Sequence, residues 1–147
     1  MWAVVKLNVC GPEAAEKAYE EIMESVTAKR PDAHINGILT VPMLDAGVEI
    51  IIGVNNDPQF GPMIMVGMGG VFVEVFKDVA LYPAPLKEEE ALEMLKSLKS
   101  FKLLNGYRGT EKCDIKALCQ TIVAISNYAQ ANKDVLKELD INPLFVY

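Results

Sequence analysis

The stretch from Asp57 to Asp78, DPQFGPMIMVGMGGVFVEVFKD, constrains the fold more than any other part of the chain. An FGP turn leads into an apolar strand at Met63 to Val66, Gly67-Met68-Gly69-Gly70 reverses the chain again, and Val71 to Phe76 reads as a further strand. Reversals this closely spaced join neighbouring antiparallel strands, since a parallel pair needs a crossover of a dozen residues or more. Near the C-terminal end, Glu138 to Leu144 (ELDINPL) sets an acid and a carboxamide two residues apart on a short strand stopped by Pro143.

The flanking sequence supplies helices to cover such a sheet. A period-2 segment, Ala3 to Val9, leads to Gly11-Pro12-Glu13, a helix start with proline in the first turn. Ala15, Ala18, Tyr19, Ile22, Met23 and Val26 then recur at helical steps, and the helix ends before Pro31. Ile38 to Val41 and Val48 to Val54 read as strands. After Pro85, Glu88, Glu89 and Glu90 sit where a helix dipole favours anions, and Leu92, Leu95 and Leu98 give that helix its stripe. Phe101 to Gly109 (FKLLNGYRG) is a loop, and Asp114 caps a long helix carrying Ile115, Leu118, Ile122, Ile125 and Tyr128. Leu136 to Ile141 is the last strand. The order predicts one α+β unit, mostly antiparallel, in a single domain over residues 1–147.

Composition narrows the function classes. Hydrophobic residues make up 51% and charged residues 23%, a balance that folds rather than stays disordered. The net charge of −6, with Lys and Arg scattered, lacks the electrostatic footprint of a nucleic-acid binder. The longest apolar run, Met63 to Val73, is far below the roughly 18 residues of a membrane-spanning helix. Met1 to Val9 lacks the pattern of a signal peptide, so a cytoplasmic location is expected. Cys10, Cys113 and Cys119 follow no metal-type spacing and read as ordinary buried or surface thiols.

The segments GVEIIIGVNNDPQFGPMIMVGMGGVFVEVFKDVALYPAPL, LLNGYRG and ELDINPL resemble, in order and spacing, the second half of the ATP-grasp domain of ADP-forming acyl-CoA (acetyl-CoA) synthetases, relatives of the succinyl-CoA synthetase β chain. The resemblance implies the second lobe of an ATP-grasp fold with the first lobe missing. It also implies ATP or ADP and Mg2+ as cofactors, and a CoA-binding subunit or domain as partner. In that family acyl-CoA, ADP and phosphate are interconverted with a carboxylate, ATP and CoA through a phosphohistidine on a moving loop.

Site residues follow from the same match. Ile38 to Leu44 (ILTVPML) corresponds to the family's hinge, which gives Val41 and Leu44 contacts to the nucleotide, and Glu49 corresponds to the acid that holds the ribose. Asp140 and Asn142 correspond to the strand that presents oxygen ligands to magnesium. The chemistry agrees, since magnesium takes hard oxygen donors and keeps several waters.

The residues themselves leave alternatives open. Glu49 and Glu74 oppose apolar neighbours in pleat alternation, so each faces either a cleft or plain solvent. Gly69 and Gly70 form a hairpin turn, or lie against a phosphate or the visiting phosphohistidine loop; Arg108 in GYRG pairs with phosphate or sits on an ordinary surface. His34, the sole histidine, matches neither phosphorylated histidine of the family, and because the resemblance puts the phosphate-steadying lysine and a second magnesium acid outside this chain, it is not expected to be a competent ligase by itself. A noncatalytic interaction module built on the same fold is the alternative. Apolar surface left by a missing lobe predicts self-association as a homo-oligomer.

Overall fold

The computed structural model describes residues 4–70, 77–107, 109 and 111–147. It divides into two units, Met1–Asp45 and Ala46–Tyr147.

The first unit is built on helix α1, Pro12–Lys29. Gly11, at φ 84°, precedes Pro12, and the Gly11 carbonyl accepts from the Ala15 amide at 3.1 Å. The helix closes where the Arg30 amide donates to the Val26 carbonyl at 2.8 Å, and the Arg30 guanidinium forks onto Asp32 with two contacts of 3.1 Å. Lys6 pairs with Glu21. No α1 residue is fully buried; Ala18, Ile22, Met23 and Val26 are half-buried and Tyr19 is exposed.

Among the described residues, two expected strands do not form. Residues 4–10 and 33–47 form no ladder, and Val5 and Leu7 are 69% and 65% exposed. Alternation gives a segment the side-chain pattern of a strand, but a strand exists only where a neighbour takes its N–H and C=O groups. Among the described residues, neither segment has such a neighbour.

The second unit is a four-stranded antiparallel sheet, β1 Val48–Asp57, β2 Gly61–Met68, β3 Val79–Pro83 and β4 Glu138–Val146, in the order β3-β2-β1-β4. The β1–β2 hairpin is set by Asp57, whose Oδ1 accepts from the amides of Gln59 at 2.7 Å and Phe60 at 3.0 Å. Alternate residues Ile50, Ile52, Val54, Ile64, Val66 and Met68 face the core. Covering them are α2, Glu88–Ser97, through Ala91, Met94 and Leu95, and α3, Ile115–Ala131, through Leu118, Cys119, Ile122 and Ala129. Burying one such Leu or Ile contributes about 1.5–3 kcal/mol.

Polar contacts hold the helices to the sheet. Asp114 caps α3 by accepting from the Ala117 amide at 2.9 Å, as the sequence predicts. Ser126, wholly buried, accepts from the Leu86 amide at 2.9 Å and donates to the Val123 carbonyl at 2.9 Å. Asn56 donates to the carbonyls of Lys133 and Leu136, tying the end of β1 to the α3–β4 connection.

Beyond β1 and β2, one strand forms where none was expected and one is longer than expected. Val71 to Phe76 lies outside the described residues. β3 arises from VALYP, too short to show alternation. The last strand is Glu138–Val146 rather than Leu136 to Ile141, and it runs through Pro143. Ile50 pairs with Leu144 and Ile52 with Ile141, so Asn142 and Pro143 together oppose Ile51. This bulge sits on an edge strand, where proline's missing N–H breaks no necessary ladder bond.

Candidate functional site

The sheet has one face turned to the helices and one turned away, and Glu49, Asp140 and Asn142, the described polar residues predicted for the second unit, lie on the second. Register fixes this outer face as cross-strand rows. Leu81, Met65, Gly53 and Asp140 make one row across all four strands; Val79, Gly67 and Ile51 make the next and meet β4 at its bulge. The following position of β1 is Glu49, opposite Phe145 of β4. Val79 and Leu81 are exposed on the β3 side, whereas Glu49, Asp140 and Asn142 are exposed on the β1–β4 side. The outer face is thus apolar along one edge and acidic along the other.

Glu49 owes its position to the pleat, which sends Ile50 into the core and its neighbour outward. On the β2 side the ladder is prolonged by the Gly69 amide, which donates to the Glu49 carbonyl at 2.7 Å. The Glu49 carboxylate reaches over the following turn, with Oε2 3.5 Å from the place a Gly70 Cβ would take. Gly69, Gly70 and Glu49 are therefore brought together.

Asp140 and Asn142 lie on the adjoining strand. Ile141 between them is half-buried against the core opposite Ile52, and Asn142 lies within the bulge. Glu49 stands four residues along β1 from Gly53, the partner of Asp140, which is about 13 Å at strand spacing. Ligand distances to a hard cation are about 2.0–2.6 Å, so one ion does not bridge these two carboxylates. Among the described residues no three His, Cys, Asp or Glu side chains form a metal cluster. The oxygen donors on β4 therefore suit a cation that keeps waters or phosphate oxygens as its other ligands.

Val41 and Leu44 belong to the first unit, exposed in chain without regular structure. Glu74 and Arg108 lie outside the described residues. The signal that sequence reading missed is at Gly69, whose dependence on Glu49 requires knowing the register of β1 on β2. No helix among the described residues is long and apolar enough to cross a membrane.

A family model for the ATP-grasp domain matches residues 2–147. The β subunit of the ADP-forming acetate–CoA ligase II of Pyrococcus furiosus is 46% identical over 144 residues, which cover 98% of this chain and 61% of that subunit. The corresponding ligase I β subunit of the same organism is 42% identical over 143 residues, 97% of this chain and 61% of the subunit. Among solved structures, the dinucleotide-forming acetyl-coenzyme A synthetase 1 of Ca. Korarchaeum cryptofilum, in complex with coenzyme A and Ca-AMPCP, superposes with a TM-score of 0.91 at 44% identity, covering 99% of this chain and 63% of that one. The same enzyme with coenzyme A and Mg-AMPPCP gives a TM-score of 0.82 at 41% identity, covering 97% and 61%. The chain thus spans less than two thirds of the relatives it matches. With the match running nearly end to end and the α+β fold in agreement, the chain belongs to the ATP-grasp domain family.

Proposed function

We propose that this chain is the nucleotide- and magnesium-binding part of an NDP-forming acyl-CoA synthetase, and that the outer face of its sheet receives ADP or ATP. The observation that carries the reading is the placement of Glu49 and Asp140 on one face, on neighbouring strands and four residues apart along the strand direction, a rise of about 13 Å. That separation matches a ligand with a polyol at one end and a cation-bound polyphosphate at the other, and no single metal ion.

In this reading Glu49 accepts hydrogen bonds from the ribose hydroxyls, and Asp140 and Asn142 offer oxygens to Mg2+ near the phosphates. Magnesium supplies charge neutralisation for the phosphate oxygens. Gly69 and Gly70 border the Glu49 carboxylate at the ribose end, so a phosphate or phosphohistidine-loop contact for them rests on the family resemblance and not on this geometry. Independently of this geometry, the family resemblance gives Val41 and Leu44 to the nucleotide and adds Glu74 and Arg108 to the phosphate contacts. Support comes from the nucleotide analogues with divalent cations in the Korarchaeum structures.

The full reaction, acyl-CoA with ADP and phosphate against carboxylate with ATP and CoA, then requires a CoA-binding subunit or domain. This chain acts as one component, in the cytoplasm, and does not turn over substrate alone. Calorimetric titration with ADP and Mg2+ tests the reading: saturable heat in the wild type, largely lost in Glu49→Gln, is expected. A folded wild-type chain giving no heat contradicts it.

A second reading, a noncatalytic interaction module, rests on a different observation. The first unit exposes Val5, Leu7, Leu39, Val41, Met43 and Leu44, and apolar surface of this kind marks interfaces. Self-association follows from either reading, and sedimentation showing only monomer at micromolar concentration removes it.

A further inference from the structure

Gly69 and Gly70 stand side by side, yet they are glycine for different reasons. Gly70 has φ +63°, a backbone region that turn glycines occupy without a steric penalty. Gly69 has no positive φ, so turn geometry does not call for glycine there. What calls for it is Glu49. A Cβ on Gly69 would lie 2.7 Å from the Glu49 Cβ and 3.2 Å from both the carbonyl carbon and oxygen of Glu49. The neighbours are a Cβ and backbone rather than the tip of a flexible chain, so relief requires β1 and β2 to part where the Gly69 amide donates to the Glu49 carbonyl.

We propose that Gly69 is a positioning residue for Glu49. By lacking a side chain it lets the β1–β2 ladder extend to Glu49, and it leaves the Glu49 side chain free to lie over the turn, with its carboxylate beside Gly70. The inference rests on the nucleotide reading above and deepens it: discrimination for a sugar carrying both hydroxyls depends on Gly69 as well as on the acid. In this role Gly69 acts through the direction it gives the carboxylate.

The test is a set of affinities for ADP and for 2′-deoxy-ADP, each with Mg2+, on the wild type, Gly69→Ala, Glu49→Gln and the double variant. The wild type is expected to prefer ADP; Gly69→Ala and Glu49→Gln each lose about tenfold or more for ADP and little for the deoxy analogue. The double variant is expected to be no weaker than Glu49→Gln alone, since both changes remove one interaction. Additive losses, or a Gly69→Ala chain that keeps the full preference for ADP, overturn the positioning role while leaving the nucleotide reading intact. A folded wild type that binds neither nucleotide overturns both. Should Gly69→Ala not fold, placing it in a Glu49→Gly background asks the same question, because that change removes the Cβ the new one would meet at 2.7 Å. A Gly69→Ala folding defect undiminished in that background overturns the proposal, and its relief supports it.

Discussion

Asp78 and Ser100 hold each other through two hydrogen bonds: the Ser100 amide donates to Asp78 Oδ2 at 2.8 Å, and the Ser100 hydroxyl donates to the same oxygen. The Lys99 amide adds a third, at 3.0 Å to Oδ1. Asp78 immediately precedes β3 and Ser100 follows α2, so one carboxylate fastens the edge of the sheet to the end of a helix. Both residues are buried, and removing the carboxylate leaves two amides without their acceptor. Asp78→Ala is expected to cost about 1–3 kcal/mol, read as a lower urea midpoint at unchanged slope.

The same carboxylate sets an acid limit. Burial alone raises its pKa, but the hydrogen bonds from the Ser100 hydroxyl and the Lys99 and Ser100 amides, with the Lys99 charge, outweigh burial and hold it below the ordinary value. A depressed folded-state pKa contributes stability that is complete above the unfolded value, near 3.9, and is lost as pH falls through the lower folded value. The stability difference between wild type and Asp78→Asn is therefore expected to be flat from pH 7 to pH 5 and to shrink below about pH 4. A difference that grows on acidification contradicts the assignment.

Ser126 presents the opposite case, a neutral group whose loss strands a buried donor. With Ala at this position the Leu86 amide loses its acceptor inside the core. Ser126→Ala is expected to destabilise by about 1–3 kcal/mol, more than the ~1 kcal/mol expected for Asp114→Ala at the exposed cap of α3. Thermal unfolding of the two variants side by side gives the order.

The three thiols separate by access. Cys10 is exposed, whereas Cys113 and Cys119 are buried. Burial pushes both buried thiols up, and for Cys119 the Glu88 charge adds to burial while Lys96 partly offsets it. Since the thiolate is the reactive form, alkylation of the native chain at pH 7.5 is expected to modify Cys10 rapidly and the other two only after denaturant is added.

How far the sequence reveals the fold depends on whether each element carries its own partner. β1 and β2 are legible because Val48 to Val66 holds two apolar runs and the turn between them. α3 is legible because an Asp cap precedes a helical stripe. By contrast, Ala3 to Val9 and Ile38 to Val41 have a strand's pattern without a described neighbour. β4 is longer than its sequence indicates, because Pro143 falls in an edge bulge instead of ending the strand. For the site, pleat alternation alone places Glu49 and Asp140 outward, and that holds. Alternation says nothing of which residue crosses the strand gap to meet Glu49, so the contact with Gly69 emerges only from register.

The most direct measurement of the central claim is equilibrium binding of labelled ADP, with and without Mg2+, to the wild type, Glu49→Gln and Asp140→Asn. The account predicts that Asp140→Asn removes the gain in affinity that Mg2+ gives and leaves metal-free binding unchanged, while Glu49→Gln weakens ADP about tenfold under both conditions. Equal responses of the two variants to Mg2+, or tight ADP binding untouched by either substitution, would contradict a nucleotide laid between these two acids.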